Sequence, residues 1–246
     1  MDEQLLFSRI IDAIRLKNVT GVFKTVGFLS ESEIAKVRLL PDLKGEKYEF
    51  FGGYKDAERC FFVSLPDWCD SAEEIGVVKS FTFTYRKCDK LYHKDFLGTF
   101  MSLGITRESI GDILCEEGRT VAFVAENVSR YIASQTEKVG GVGVKVTEGF
   151  SYPLPSVAVL KDFTDTVSSL RLDSVVAALI GTSREKAKEI ILDKRVSVNA
   201  LITDKVTFAV PKDAKISIRG EGKFLLSPTT ETTKKGRLIL KYSKYV

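Results

Sequence analysis

The sequence predicts a multi-domain α+β protein, and three observations support this fold class. The chain of 246 residues is long enough for two or three small domains. Its hydrophobic fraction of 44% and charged fraction of 28% are those of an ordinary globular protein. Segments with helical spacing alternate with short β-branched and aromatic runs. We predict three domains joined by one linker: residues 1–75, 76–150 and 165–246, with the linker at 151–164.

The first domain is predicted to be a small N-terminal α/β domain. Apolar residues recur at helical spacing over residues 3–17 and indicate an amphipathic first helix. A short second helix begins at Ser30, because Glu33 stands three residues later as a capping box requires. Two aromatic runs separated by a glycine turn then predict a pair of strands, the second of which ends at Pro66.

The middle domain shows the order strand, helix, hairpin, helix, strand over about 70 residues. This order predicts an RRM-like (ferredoxin-like) sandwich. Phe81, Phe83 and Tyr85 alternate along its first strand. They would stack on RNA bases if that face of the sheet were open, or they would fill the core. Strand aromatics at period two more often fill a core, and the residues themselves leave both roles open.

The last third is predicted to be a separate basic α+β module. Two prolines in SYPLPSVAV indicate the linker, and a helix is predicted from about residue 165 to Gly181. Thr182 and Glu185 form a second capping box that would start the next helix. Residues 165–246 carry 16 Lys and Arg against 9 Asp and Glu, a net charge of +7, whereas the preceding residues have −3. This asymmetry indicates a module that binds a polyanion.

The basic residues of this module gather around its second helix and the turn that follows. Arg184, Lys188 and Arg195 would share one stripe beside the buried side of the helix, if the helix ran that far. A merely solvated helix face would also explain such charges. The basic turn DKR before the next strand favours an anion-binding surface. Further on, Arg219 and Lys223 flank two glycines, where backbone amides can approach a phosphate.

RLDSVVAALIG and the following TSREKAKEIILDKRVSVN resemble the S4 RNA-binding domain. Lys194 and Ala200 stand where that motif has glycines, and both are turn positions. The positions that match the motif in order and spacing are Arg171, Leu172, Asp173, Ser183, Arg184, Ala187, Ile190, Arg195, Val196, Val198 and Asn199. The resemblance, with the charge pattern, implies RNA binding through Arg171, Ser183, Arg184, Lys186, Lys188, Lys194, Arg195, Asn199, Arg219 and Lys223.

Similarity extends over essentially the whole chain. FFGGYKDAERC, LYHKDFLGTFMSLGITRESIGDIL and SYPLPSVAVLKDFTDTVSSLRLD resemble, in this order, segments of the YlmH-like proteins of Gram-positive bacteria. The resemblance implies an RRM-like middle domain and a C-terminal S4 domain. It implies binding to the large ribosomal subunit, with rRNA and tRNA as partners, during quality control of stalled translation. A link to cell division is a weaker implication.

Two other classes of function stay open. An RNA-modifying enzyme with an S4 targeting domain would need an active site within residues 1–160. Arg171, Leu172 and Asp173 match the tripeptide of pseudouridine synthases, but too few residues follow for their catalytic domain, so we expect Asp173 to begin a helix. A protein-interaction adaptor linked to cell division would instead use the acidic N-terminal part. We predict a non-enzymatic protein without catalytic residues.

We expect no cofactor, no metal site and no small-molecule substrate. The cysteines Cys60, Cys69, Cys88 and Cys115 are scattered and His93 is the only histidine, so no zinc-binding spacing is present and reduced thiols are expected. No signal peptide and no apolar run of membrane-spanning length stand out. We therefore expect a cytoplasmic monomer without membrane contact.

Overall fold

The structure is a computed structural model that describes residues 2–155, 160–227, 231–234 and 236–245. The chain folds into two compact units, residues 1–157 and 158–246. Both units combine helices with antiparallel sheets, which confirms the predicted multi-domain α+β class.

The first unit contains fourteen of the helices and strands among the described residues. Its helices are α1 (Glu3–Thr20), α2 (Glu31–Val37), α3 (Ala72–Ile75), α4 (His93–Ser102) and α5 (Glu126–Gln135). Its strands are β1 (Lys24–Leu29), β2 (Tyr48–Phe51), β3 (Cys60–Ser64), β4 (Val78–Thr84), β5 (Ile110–Glu116), β6 (Arg119–Ala125), β7 (Lys138–Val139), β8 (Val142–Gly143) and β9 (Lys145–Glu148).

The N-terminal part of this unit is an antiparallel sheet of order β1-β3-β2 packed against α1 and α2. The predicted capping box is present, since the Glu33 amide donates to Ser30 Oγ at 3.4 Å and the Ser30 amide donates to Glu33 Oε2 at 2.8 Å. Strand β1 was not among the predicted elements. Its sequence KTVGFL is short and contains a glycine, so its alternation is weak, and its pairing with β3 comes from residues far along the chain.

The middle part has the sheet order β5-β6-β4-β9, with every neighbouring pair antiparallel. This is the strand order of the ferredoxin-like sandwich, so the predicted RRM-like topology is confirmed. Helices α4 and α5 cover one face of the sheet. Phe81 and Phe83 lie under them with exposures of 4% and 0%, in one cluster with Phe96 and Phe100. These strand aromatics therefore fill the core rather than offering stacking surfaces.

A buried carboxylate ties the N-terminal part to the middle part. Asp112 on β5 accepts hydrogen bonds from the Tyr54 hydroxyl at 2.8 Å, the Glu58 amide at 2.7 Å and the Arg59 amide at 3.2 Å. The Arg59 side chain adds hydrogen bonds to the carbonyls of Ile110 and Phe28. The two parts therefore fold as one compact unit.

The second unit is a six-stranded antiparallel sheet with two helices on one face. The sheet order is β10-β15-β14-β13-β11-β12, and one apolar cluster joins the helices to the sheet. The elements are β10 (Leu160–Val167), α6 (Leu172–Leu179), α7 (Arg184–Leu192), β11 (Val196–Val198), β12 (Leu201–Ile202), β13 (Lys215–Ile218), β14 (Gly222–Ser227) and β15 (Leu238–Tyr245).

The predicted helix from residue 165 is wrong in its first half, and so is the end of the predicted linker. Residues 160–167 form β10, which pairs with the C-terminal strand β15 along its whole length, and the helix begins only at Leu172. LKDFTDTV alternates polar with aromatic and β-branched residues, but its partner residues lie 71 to 85 positions away in the chain, which no local pattern reveals. Residues 156–159 of the predicted linker lie outside the described residues.

The predicted capping box at Thr182 and Glu185 is also wrong. Ser183 is the N-cap of α7, and its side chain accepts a hydrogen bond from the Lys186 amide at 3.2 Å. Thr182 still belongs to the end of α6, because its amide donates to the Ala177 carbonyl at 2.9 Å while Gly181 adopts φ +62°. This is a Schellman motif, and it includes Thr182. The N-cap of α7 is therefore Ser183, one residue later than the sequence predicted.

Candidate nucleic-acid interface

Two arginines converge on one buried carboxylate at the start of α6. The Asp173 side chain has no exposed surface, while the Arg171 and Arg184 side chains are 44% and 48% exposed. Arg171 donates from Nε at 3.1 Å and from Nη2 at 3.2 Å, and Arg184 donates from Nη2 at 2.7 Å. The Ser174 amide also donates to Asp173, at 3.0 Å. Asp173 therefore begins the helix as predicted, and it also fixes two guanidinium groups.

The electrostatics of this cluster favour a second anion. Burial raises the pKa of Asp173, but the hydrogen bonds and charges of Arg171 and Arg184 outweigh burial and hold that pKa below its ordinary value. Asp173 is thus ionised at neutral pH, and two positive charges face one negative charge. Each guanidinium has five N–H donors, so both keep donors directed away from Asp173. A phosphate group can accept hydrogen bonds from both of these guanidinium groups.

The flank of α7 next to Arg184 continues this basic surface. Lys188 lies one turn further along the helix and is exposed, and within the described part of the chain it has no ion-pair or hydrogen-bond partner. Leu192, another turn on, is 61% exposed. Lys186 lies on the other flank and pairs with Glu189 at 2.7 Å, which raises the pKa of Lys186. Lys186 therefore has an acidic partner on its own helix.

The stripe does not continue through Arg195, because α7 ends at Leu192 and Lys194 adopts φ +55°. Arg195 instead packs on the hairpin that joins β13 to β14. Its Nη2 donates to the Arg219 carbonyl at 2.7 Å, and the Arg219 amide donates to the Arg195 carbonyl at 2.9 Å. Arg195 and Arg219 therefore lie side by side, as a second basic cluster at the ends of their strands.

The turn between β11 and β12 explains the role of Asn199. Asn199 and Ala200 join Val198 to Leu201 and have φ +48° and +66°, the conformation of a two-residue type I′ turn. Asn199 Oδ1 accepts from the Lys215 amide at 2.9 Å, and its own amide donates to the Lys215 carbonyl at 2.8 Å. Asn199 thus shapes the backbone that leads away from the basic turn.

Lys223 lies on β14, just after the hairpin that carries Arg219. Its neighbour on β14, Phe224, points into the core under the helices, so Lys223 points to the opposite face of the sheet, level with Ser217. The structure therefore groups Arg171 with Arg184 and Arg195 with Arg219. Lys188 and Lys194 extend these groups, and Ser183 serves as the N-cap.

The sequence did not reveal that Asp173 joins two arginines or that Leu192 is exposed beside them. Asp173 matched the motif but carried no predicted role beyond starting a helix, since its burial between two arginines depends on how α6 and α7 cross. Leu192 resembles a core residue in the helical pattern. No local signal separates it from Ile191, which has 0% exposure.

The described residues of the first unit contain a surface cleft and a buried polar network. A cleft of about 670 Å³ opens there, and Arg9 and Glu108 form an ion pair at 3.0 Å among its lining residues. Burial and the nearby Asp112 charge raise the pKa of Tyr54, and burial raises the pKa of Asp112, but neither side chain lines this cleft. Their hydrogen bonds are those of a structural network.

The described residues contain no group of histidine, cysteine, aspartate and glutamate suited to a metal ion. Cys60, Cys69, Cys88 and Cys115 form no disulfide in the structure. Among the described residues, no helix is long and apolar enough to cross a membrane.

Comparisons with known proteins found a domain family that matches the middle of the chain and a relative that is similar over nearly all of it. Residues 78–151 match the family model described as "Putative RNA-binding domain in YlmH". The chain is 27% identical over 240 residues, 96% of its own length and 93% of the relative, to "Ribosome-associated protein quality control protein P2" of Bacillus subtilis (strain 168).

A solved structure agrees with these matches. "Cell division protein ylmH from Streptococcus pneumoniae" superposes with a TM-score of 0.53 at 15% identity, covering 61% of this chain and 92% of that chain. At this identity the superposition shows the fold. The family-model match and the superposed structure both concern YlmH, and the Bacillus subtilis relative is similar over nearly the whole chain.

Proposed function

We propose that the protein is a non-enzymatic RNA-binding protein that acts on the large ribosomal subunit, in rescue or quality control of stalled translation. Its C-terminal module acts as an S4 domain that binds rRNA and tRNA. The observation that carries this proposal is the pair of half-exposed guanidinium groups, Arg171 and Arg184, fixed on the buried carboxylate of Asp173. The name of the Bacillus subtilis relative and the RNA-binding-domain match support it.

The geometry suits phosphate recognition because the donors are already oriented. A guanidinium that has to be ordered on binding loses side-chain entropy, whereas Arg171 and Arg184 are held in place before RNA arrives. Lys188, Lys194 and Arg219 then add exposed positive charge at the edges of the site. RNA affinity that depends mainly on phosphate contacts falls steeply as the salt concentration rises. For duplexes, the logarithm of the binding constant falls against the logarithm of salt concentration with a slope of about −0.9 per phosphate contact.

Co-sedimentation with large ribosomal subunits over a range of salt concentrations tests the proposal. Lys188→Ala combined with Arg219→Ala removes two exposed cations whose side chains support no other described group, so the fold is expected to persist. We expect weaker binding and a salt slope reduced by about 2. Lys161→Ala is the matched control, since Lys161 lies on the edge strand β10 at the far side of the sheet order. Equal binding by the double variant and the control would refute the site.

A protein-interaction adaptor is the second candidate, and one feature favours it. Near the end of α1, Val19, Val22 and Trp68 are 77%, 47% and 69% exposed, and the Trp68 indole donates to the Gly21 carbonyl at 3.0 Å. Exposed apolar patches of this kind often bind proteins. RNase treatment of a cellular complex separates the two functions, because an adaptor keeps its partner whereas an RNA-binding protein loses it.

A further inference from the structure

Four aromatic rings form a ladder on the face of the middle sheet opposite α4 and α5, where Tyr54 of the N-terminal part covers Phe123. Phe123 on β6 lies on this face, since its neighbours Ala122 and Val124 belong to the helix-side core. Tyr54 stacks on Phe123 at 4.6 Å between ring centroids. Phe150 meets Phe123 edge-on at 5.4 Å, and Tyr152 meets Phe150 edge-on at 5.3 Å. We call Tyr54, Phe123, Phe150 and Tyr152 the aromatic ladder.

The segment that carries the outer two rings is fixed to the sheet. The Gly149 amide donates to the Ser80 carbonyl at 2.8 Å, and the Thr82 hydroxyl donates to the Gly149 carbonyl at 2.7 Å. Arg119 donates from Nη2 to the Pro153 carbonyl at 2.6 Å and from Nη1 to the Ser151 carbonyl at 3.4 Å. These bonds hold the backbone on both sides of Tyr152, so its ring is presented from a fixed position.

Tyr152 is the open end of the ladder. Phe123 has 0% exposure, whereas the Tyr152 side chain is 71% exposed although it is anchored at its inner edge by Phe150. A large aromatic ring that is both fixed and exposed loses little entropy when a flat partner stacks on it.

The surroundings of Tyr152 suit a nucleic-acid strand. The strand registers place Lys145 and Thr147 on the same face, opposite Thr84 and Thr82 of β4, and Arg119 is opposite Thr84 from the other side. Among the described residues of this edge, the carboxylate of Glu116 is paired with Arg119 at 2.5 Å. Cations and hydroxyls around an exposed ring are the features of platforms for single-stranded nucleic acid.

We propose that an unpaired RNA base stacks on Tyr152, with its sugar-phosphate backbone running toward Lys145. This contact rests on the proposed RNA-binding function but belongs to the other compact unit. It replaces the role first considered for Phe81 and Phe83, which are buried on the helix side. In this proposal the basic surface of the C-terminal module contacts RNA phosphates, and the Tyr152 ring contacts an RNA base.

Fluorescence anisotropy of the full chain with a single-stranded oligoadenylate of about 12 nucleotides tests this contact. Tyr152→Ala is expected to weaken binding about five- to a hundredfold, the range found when a stacking ring is removed. Tyr152→Phe keeps the ring and is expected to bind like the parent. Tyr131→Ala is the matched control, because Tyr131 is a 48% exposed tyrosine on α5, on the other side of the same sheet.

The salt dependence separates this proposal from the first one. Tyr152→Ala removes no charge, so its affinity should fall while the slope against salt stays unchanged. Lys188→Ala with Arg219→Ala should reduce the slope instead. If Tyr152→Ala binds the oligonucleotide like the Tyr131→Ala control, base stacking on Tyr152 is refuted while phosphate binding by the C-terminal module stands.

Ultraviolet crosslinking with peptide mapping gives an independent readout. The peptide that contains Tyr152 should be attached to the oligoadenylate in the parent protein. If Tyr152→Ala loses ribosome co-sedimentation but keeps oligonucleotide affinity, Tyr152 contacts a protein and the proposal is overturned. A circular dichroism spectrum equal to the parent's confirms that the variant is folded, as expected for a side chain that is largely exposed.

Discussion

Asp173 illustrates how one residue can serve both stability and binding. It is completely buried and compensated by Arg171 and Arg184, whose outer sides face solvent. Removing the carboxylate leaves two cations with no partner, and changing Arg184 to an acid would place a second carboxylate beside the first. Charge reversal at Arg184 is therefore expected to destabilise the module as well as to change RNA contact, and for this reason Lys188 and Arg219 are the better positions for that test.

Asp173→Asn is expected to destabilise the C-terminal module by about 3 kcal/mol at pH 7, the cost of breaking a buried ion pair. The pKa of Asp173 is lowered in the folded state, so its stabilisation is present above the ordinary carboxyl pKa and is lost as pH falls through the folded-state pKa. The stability difference between parent and variant should therefore shrink in strong acid. Urea unfolding at pH 7 and at about pH 3 measures it. If the difference in free energy of unfolding between parent and variant is the same at both pH values, Asp173 does not stabilise the module as an ionised carboxylate.

Ala200 is held at φ +66° although it has a Cβ atom. Type I′ turns favour Asn-Gly, so Ala200→Gly should relieve this conformation and stabilise the module by about 1 kcal/mol. Urea unfolding measures the gain. Ala178→Gly, within the helix α6, is the opposite control and should destabilise by a similar amount. A loss of stability in Ala200→Gly would show that the turn is not type I′.

At the scale of the element, the junction from α7 to β11 combines a strained turn with a basic surface. Lys194 takes φ +55° to stop the helix, and it stands 3.8 Å from Asp204 with its side chain 68% exposed. A glycine there would make the turn easier but would remove a cation from the surface. Lys194 therefore keeps a positive charge on the surface at the cost of a strained backbone conformation.

Lys194→Gly is expected to raise the stability of the module by about 1 kcal/mol and to lower RNA affinity. Unfolding in urea gives the first quantity, and ribosome co-sedimentation at several salt concentrations gives the second. A variant that gains stability and binds as before would remove Lys194 from the candidate interface. Ala200→Gly is the control for stability gained without loss of charge.

At the scale of the whole molecule, charge is divided between the parts of the chain. Residues 165–246 have a net charge of +7 and the preceding residues −3. Phosphate contacts dominate the salt dependence of RNA binding. We therefore expect the fragment of residues 158–246 to show nearly the same salt slope as the full chain in co-sedimentation, although with lower affinity. A full-chain slope steeper by more than about 2 would mean that the first unit contributes several phosphate contacts.

Much of the fold could be predicted because its signals are local. The Ser30 capping box and the hairpin of β5 and β6 follow from residues close together in the chain, and the order strand, helix, hairpin, helix, strand predicts the topology of the middle sandwich. Strand β10 was missed because its pairing with β15 is non-local, and a short polar-alternating run predicts little without its partner. The start of α7 was misplaced by one residue because two adjacent hydroxyl residues compete for the N-cap.

The candidate interface could be predicted as a list of residues but not as an arrangement. The order of basic residues from Arg171 to Arg219 indicated an anion-binding surface. This order of residues did not show that Arg195 packs on the backbone of Arg219 or that Lys223 points to the face of the sheet opposite the helices. The exposure of the Tyr152 ring was not predicted either. Each of these depends on which strands are neighbours.

The sequence by itself determined the α+β class, the order of elements in the middle sandwich and the concentration of positive charge in the last third, because spacing, turn residues and composition are properties of the chain. Only the tertiary structure decided that Asp173 holds Arg171 and Arg184 together, that Phe81 and Phe83 are core, and that Tyr152 is presented to solvent. The physical reason is that burial and hydrogen-bond partnership arise from contacts between distant segments, which the order of residues does not specify locally.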